Sequence, residues 1–165
     1  MKNIMVIGWK RNGKDTVGEM LQEIGYKAIS SSVYAAEKVV YPALSKLYGY
    51  TSVEECYEDR HSHRSEWYDL ISAYNKGDPA RLSREMIEDG YNIYVGLRNA
   101  DELVEAKKYY DLVVWVDGYD RTGIKEDESS CTVTADMADF IITNNGSLEE
   151  LRDKVVRIFG VIDDV

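Results

Sequence analysis

The run Gly8-Trp9-Lys10-Arg11-Asn12-Gly13-Lys14-Asp15-Thr16 fits the pattern G-x-x-x-x-G-K, and its chemistry is the binding of phosphate. Gly8 and Gly13 let the backbone curl so that successive N–H groups face phosphate oxygens. Lys14 has the length to reach a β- or γ-phosphate, and the helix that follows adds the positive end of its dipole. Lys10 and Arg11 place two more cations inside the loop. The residue after Lys14 is Asp15, where the usual motif has the Ser or Thr that ligates Mg²⁺. Asp15 is therefore expected to hold Mg²⁺ directly or through water, leaving Thr16 to bond a phosphate. A glycine-rich turn carrying an exposed lysine is the plainer alternative, and the placement of the motif between an apolar strand and an amphipathic helix disfavours it.

More cations stand where later strands end. Arg98 follows the apolar run Tyr91 to Leu97, and Arg121 lies just past the run that ends at Val116-Asp117. Arg60, Arg64, Arg81 and Arg84 fall in the polar middle of the chain. A phosphoryl group in flight spreads charge over its oxygens, so a lysine, several arginines and Mg²⁺ suffice to stabilise its transfer. Other chemistries are poorly supplied. His61-Ser62-His63 lies near Cys56, but no C-x-x-C accompanies it to make a zinc site, and no G-x-S-x-G elbow exists for a Ser/His/Asp hydrolase. The acidic Glu126-Asp127-Glu128 reads as a solvated loop face.

The elements that must position these residues alternate. Asn3 to Ile7 is a short buried strand. Val17, Met20, Leu21 and Ile24 then form one stripe of a helix closed by Gly25. Tyr26 to Ile29 supplies a second strand, and Ser30 to Ser32 leads into a helix carrying Val39, Val40, Ala43, Leu44 and Leu47, which Pro42 interrupts or restarts. Thr51 to Asp89 is helical and polar, with a Ser52/Glu55 capping box, a Trp67, Leu70, Ile71, Tyr74 stripe, and Asp78-Pro79 as a helix start. Strands at Tyr91 to Leu97, Asp111 to Val116 and Asp139 to Thr143 follow. Helices capped by Asn99 with Glu102 and by Ser147 with Glu150 lie among them, and Gly118 to Ser130 reads as a mobile loop. This pattern predicts an α/β fold: three layers, α/β/α, around a parallel sheet of about five strands, with ligands at the carboxyl ends of the strands.

Length and charge set the bounds. The 165 residues suit one domain, 1–165, with a core of 1–32 and 90–165, a helical insertion at about 33–89 and a lid loop at about 118–131. The 20 Lys and Arg against 30 Asp and Glu give a net charge of −10, which argues against a partner that is a nucleic-acid polymer. It leaves room for a small phosphate ligand in a local cationic pocket. Met1 to Ile7 is too short for a signal or a membrane span, so no membrane partner and a cytoplasmic location are expected. Two cysteines, Cys56 and Cys131, are expected as reduced thiols.

With these residues in hand, the chain resembles the bacteriophage deoxynucleoside monophosphate kinases, a branch of the P-loop nucleoside monophosphate kinases. The likeness lies in Gly8 to Thr16 with its Asp15, in Val95-Gly96-Leu97-Arg98 with Glu102, and in Asp139 to Leu151. Gly96-Leu97 stands where the family often has an aspartate, and Tyr119-Asp120-Arg121-Thr122-Gly123 where its lid often reads Arg-Pro-Gly; Tyr34 to Ala80 matches only loosely. The resemblance implies ATP with Mg²⁺ as donor and a (deoxy)nucleoside monophosphate as acceptor, in the cytoplasm of a host cell if phage-encoded, with a homodimer left open. Gly8, Lys10, Arg11, Asn12, Gly13, Lys14, Asp15, Thr16 and Asn144 would hold ATP, with Asp15 and Thr16 at the metal. Lys14, Arg98 and Arg121 would be catalytic. Arg98 with Arg64 or Arg81 would clamp the acceptor's phosphate, and a Tyr or Trp67 would stack on its base, a bulky ring near the sugar rejecting a 2′-hydroxyl. A kinase of another small acceptor, a coenzyme precursor or a sugar, and a non-catalytic nucleotide switch are the alternatives.

Overall fold

A computed structural model describes residues 1–162. Five strands, β1 (Ile4–Ile7), β2 (Ala28–Ser30), β3 (Ile93–Val95), β4 (Leu112–Asp117) and β5 (Phe140–Thr143), pair in parallel in the order β2-β3-β1-β4-β5. β1 is central, and all four of its residues are buried. A strand turns successive side chains to opposite faces, so a strand with a cover on both sides must be apolar throughout, as Ile4-Met5-Val6-Ile7 is.

Each face has its own core. Ile4, Val6, Val95, Val114 and Val116 meet Val17, Met20 and Leu21 of α1 (Lys14–Glu23) and Leu151, Val155 and Phe159 of α9 (Leu148–Ile162). On the other face Met5, Ile7, Tyr94, Val113 and Trp115 are covered by Met86 of α6 (Arg81–Glu88), Leu103 and Ala106 of α7 (Ala100–Ala106), and Cys131 and Val133. At about 1.5–3 kcal/mol for each large side chain removed from water, these two layers dominate the stability of the frame.

The segment between β2 and α6 builds a third core from Ala35, Ala36, Val39, Val40, Leu44, Cys56 and Trp67, which Leu82 of α6 completes. It runs through α2 (Ser31–Ala35), α3 (Tyr41–Tyr48), α4 (Val53–Glu58) and α5 (Arg64–Tyr74). Pro42 stands in the first turn of α3, so the helix restarts there, the second of the two outcomes expected for it. The chain passes from α2 to α3 through a π-helical turn, Ala36–Val40, in which Tyr41 N–H reaches back to the Ala36 carbonyl. The wider turn accommodates a residue that has no N–H to give. The Ser52/Glu55 box forms by half. Ser52 Oγ accepts from Glu55 N–H, but the Glu55 carboxylate takes the Thr51 N–H at 2.9 Å and the Thr51 hydroxyl at 2.7 Å, one residue earlier than expected. Asp78-Pro79 is likewise not the helix start: Ala80 is the N-cap of α6, and the Asp78 carboxylate instead accepts from Arg84 at 2.7 Å.

The stretch Gly118 to Ser130, expected to be a mobile loop, opens with a single helical turn, α8 (Tyr119–Thr122), closed by Gly123. It is fastened to the phosphate loop by polar contacts that no apolar period announces. Among the described residues, no helix is long and apolar enough to cross a membrane.

Candidate active site

The parallel sheet brings the carboxyl ends of β1, β3, β4 and β5 to one edge, and each end runs directly into a residue singled out by type. β1 runs into Gly8, β3 into Gly96-Leu97-Arg98, β4 into Gly118 and α8 with Arg121, and β5 into Asn144. Gly8, with φ +150°, places its α-carbon so that a β-carbon would lie 2.6 Å from the Val116 carbonyl. Gly13, with φ +112°, caps α1 and would drive a β-carbon to 2.2 Å from Asn144 Nδ2. The glycines of the motif thus serve a loop pressed against its neighbours as well as one that curls. Arg11 takes φ +60°, the one non-glycine in the left-handed region among the described residues, a strained setting of the kind that gathers at functional loops.

Lys14 is buried, and its ammonium donates to the Gly8 carbonyl at 2.8 Å across the loop. Burial pushes its pKa below that of an ordinary lysine, and the Arg98 guanidinium pushes the same way; Glu126 and Asp15 oppose them. A cleft of about 330 Å³ opens beside it, floored by Gly13 to Thr16, with Arg11 and Arg121 on its walls and Asn144, Gly146 and Leu148 at its far end. Arg121 is held there by Nε donating to the Asn144 carbonyl at 3.0 Å and by its own N–H on Asn145 Oδ1.

Asn12 and Asn144 turn out to brace the loop with their side chains. Asn12 Nδ2 donates to the carbonyls of Lys10 and Ile124, both at 3.0 Å, while its Oδ1 accepts from Gly118 N–H at 2.9 Å. Asn144 Nδ2 donates to the Asn12 carbonyl at 3.0 Å. These amides fix the loop's shape from behind, so Asn12 can meet a ligand only through its backbone. Lys10 is exposed and does not border the cleft. Asp15 and Thr16, in the first turn of α1, both line the cleft.

The residues expected around an acceptor have separate neighbourhoods. Arg64 is exposed and contacts His61 Nδ1 at 3.0 Å. Arg81 stacks its guanidinium 3.7 Å from the Tyr74 ring centroid and pairs with Glu85 at 3.1 Å. Trp67 is 7% exposed and packs in the third core, so its ring is a building block of the insertion and not a stacking platform. A second hollow of about 300 Å³ lies between α1, β2 and Tyr57 of the insertion, with Asp15, Glu19, Gln22 and Ser30 on its lining; none of these three residues borders it. His63 lies between Asp59 and Glu66, while Cys56 is in the third core and Cys131 against the sheet.

The residue that sequence reasoning missed is Glu126. Taken for part of a solvated acidic face, it is buried, with its side chain 2% exposed. Its carboxylate accepts from Lys10 N–H at 3.1 Å and from Arg98 Nη1. Its neighbours Asp127 and Glu128 are exposed, as expected. The signal that separates it is weak: Ile124, two residues before it, is the apolar residue that interrupts this polar stretch.

No family model matches the sequence, and no curated protein matches it. Among solved structures, the chain is similar to the Thermus thermophilus protein TT1252, with TM-score 0.52, 17% identity and 96% of each chain covered. It is also similar to a dephospho-CoA kinase from Campylobacter jejuni, with TM-score 0.51, 14% identity and 96% of each chain covered. A sugar kinase from a Janibacter species gives 0.51, 11%, and 95% of this chain against 93% of that one. At such identities the likeness is one of fold.

Proposed function

We propose that this chain transfers the γ-phosphoryl group of ATP to a (deoxy)nucleoside monophosphate, giving the diphosphate. The observation that carries the reading is the phosphate loop itself, set at the sheet edge with a buried Lys14, an open cleft bordered by Arg121, and Arg98 close enough to Lys14 to lower its pKa. The ATP phosphates would lie over the N–H groups of Gly13 to Thr16, with the nucleoside extending toward Asn144 and Leu148. Two of the structurally similar proteins are by name kinases, one of dephospho-CoA and one of a sugar, which supports phosphoryl transfer in general and leaves the acceptor to be tested.

The reaction asks little covalent chemistry of the protein. An oxygen of the acceptor's phosphate attacks the γ-phosphorus, a new P–O bond forms, and the bond from that phosphorus to the β–γ bridging oxygen breaks, its electron pair leaving with ADP. Lys14 and Arg121 would neutralise the transferring group, and Arg98 would hold the acceptor's phosphate in line. Arg64 or Arg81 would join Arg98 only by leaving their present partners. The fold implies Mg²⁺, and the donors suit it. Asp15 and Thr16 offer hard oxygens beside the cleft, and Mg²⁺ bound with nucleotide phosphates needs only one or two protein oxygens. When bound, it would offset charge on the β- and γ-phosphates. Closing of the insertion and of the stretch after β4 would keep water from taking the phosphoryl group.

A panel of acceptors with ATP and Mg²⁺ tests the reading: deoxy- and ribonucleoside monophosphates beside sugars and coenzyme precursors, with Lys14→Ala and Arg98→Ala as controls. Nucleoside diphosphate should form. Lys14→Ala should lower turnover by about 10²–10³-fold, as losing one transition-state donor does, and Arg98→Ala should raise the acceptor's KM. Transfer only to a sugar or a coenzyme precursor would replace the acceptor. Tight ATP binding with no transfer to any acceptor would favour a switch.

A further inference from the structure

The contacts of Glu126 differ in kind from those of an ordinary surface ion pair. One carboxylate oxygen accepts from Lys10 N–H, a backbone donor of the phosphate loop, at 3.1 Å, and the other accepts from Arg98. A loop N–H and a guanidinium held together by one anion is how a phosphate oxygen is bound. Glu126 is almost wholly buried while 47% of the Arg98 side chain is exposed, so Arg98 keeps a free face for a second anion. The backbone on either side of Glu126 is tied down. The Ile124 carbonyl accepts from Asn12, and the Thr132 and Val133 N–H groups donate to the Arg98 carbonyl, at 2.9 and 3.2 Å. The residues from Asp127 to Ser130 between these ties are exposed.

We infer that Glu126 is a resident anion filling a phosphate position between Lys10 N–H and Arg98, and that a substrate phosphate must displace it for the site to assemble. The inference rests on the phosphate-loop reading above and adds a requirement to it. A phosphate outcompetes a carboxylate by its extra charge and oxygens. A neutral acceptor brings nothing to take Arg98 from Glu126. Where the acceptor supplies the displacing phosphate, the acceptor class is anionic, and its binding is coupled to movement of Glu126 and of the exposed residues that follow it. Displacement conserves charge at Arg98, which exchanges one anion for another and is never left unpaired.

The test compares affinities in the wild type, Glu126→Gln, Glu126→Asp and Glu128→Gln, each first shown to be folded by its melting curve. Two probes separate the sources of the phosphate: inorganic tripolyphosphate for the donor chain and deoxyribose 5-phosphate for the acceptor monoester. Gln keeps the shape and an acceptor for Lys10 but carries no charge, and Asp is too short to span both partners. Glu126→Gln should bind at least one probe about tenfold more tightly, and Glu126→Asp about threefold, as expected when a charged internal competitor is removed or weakened. Glu128→Gln, with the same change in net charge at an exposed neighbour, should stay within about twofold of wild type. The arm that shows the gain says whose phosphate displaces Glu126. Unchanged or weaker binding of both probes by Glu126→Gln overturns the proposal, and so does an equal gain in Glu128→Gln. ADP binding to the wild type, read by a rise in melting temperature, keeps the two readings apart. ADP bound without a gain at Glu126 sinks this proposal alone, whereas no binding of ADP or of either probe sinks both.

Discussion

Gly13 concentrates two demands at one α-carbon. Its φ of +112° lies where an L side chain is strained, and the space a β-carbon would fill is already taken by the Asn144 amide, which itself holds the Asn12 carbonyl. Gly13→Ala is therefore expected to cost about 2–4 kcal/mol of stability and to abolish ADP binding, because loop and amide must both shift. Removing the obstructing side chain separates the causes. In an Asn144→Ala background the steric part disappears while the backbone part of about 1–2 kcal/mol stays. Chemical denaturation of the four proteins of that cycle measures the coupling. Additive losses would mean that the two residues do not press on each other. The spacing of the glycines was readable in the sequence because a loop that curls around phosphate needs them; the identity of the neighbour that crowds Gly13 was not, because Asn144 arrives from the far end of the chain.

At the scale of elements, the strands and their order of appearance were legible from apolar runs, since a strand covered on both faces has no choice of residue type. The ends of elements were less so. Asp78-Pro79 looks like a helix start, yet Asp78 is claimed by Arg84, a side-chain pairing that local pattern does not encode. Glu102 is a related case. The sequence presents it as a first-turn acid behind the Asn99 cap, and Asn99 does cap its N–H at 3.0 Å. Its carboxylate, however, points inward, accepting from Ser83 Oγ at 3.0 Å and Tyr94 OH at 3.2 Å, so that α6, α7 and β3 meet on one oxygen. Burial raises its pKa above that of an ordinary glutamate, with the two hydrogen bonds pulling back. A carboxyl with a raised folded pKa binds more protons folded than unfolded. This residue's contribution to stability therefore increases as pH falls through its folded pKa and levels off below the ordinary value near 4.5. Glu102→Gln, neutral at every pH and still able to accept from both hydroxyls, should lack that dependence and stay within about 1 kcal/mol of wild type. Glu102→Ala strands two buried hydroxyls and should lose about 2–4 kcal/mol. Melting temperatures of the three proteins from pH 7.5 to 4.5 decide it. Parallel curves for Glu102→Gln and wild type would mean that the carboxylate is already neutralised by some other partner.

Over the whole molecule acidic groups outnumber basic ones, and the cleft is a local exception. The net charge is −10, while Arg11, Lys14 and Arg121 border one cleft and the Arg98 guanidinium is close enough to Lys14 to lower its pKa. An approaching nucleotide thus meets a repulsive field at long range and an attractive one only near contact. Salt acts on the two unequally. At about 0.01 M ionic strength the screening length is about 30 Å and the acidic body is felt at a distance; at about 0.15 M it is about 8 Å, and the pocket, being close and partly desolvated, loses far less. Association of ADP should therefore quicken by a few-fold between those two ionic strengths before declining at higher salt, opposite to the steady fall of a ligand steered by a basic face. Stopped-flow binding at fixed Mg²⁺ would show it. A monotonic decrease from the lowest salt would mean that the cationic mouth dominates at every distance, and that the acidic surface plays no part in which anions reach the site.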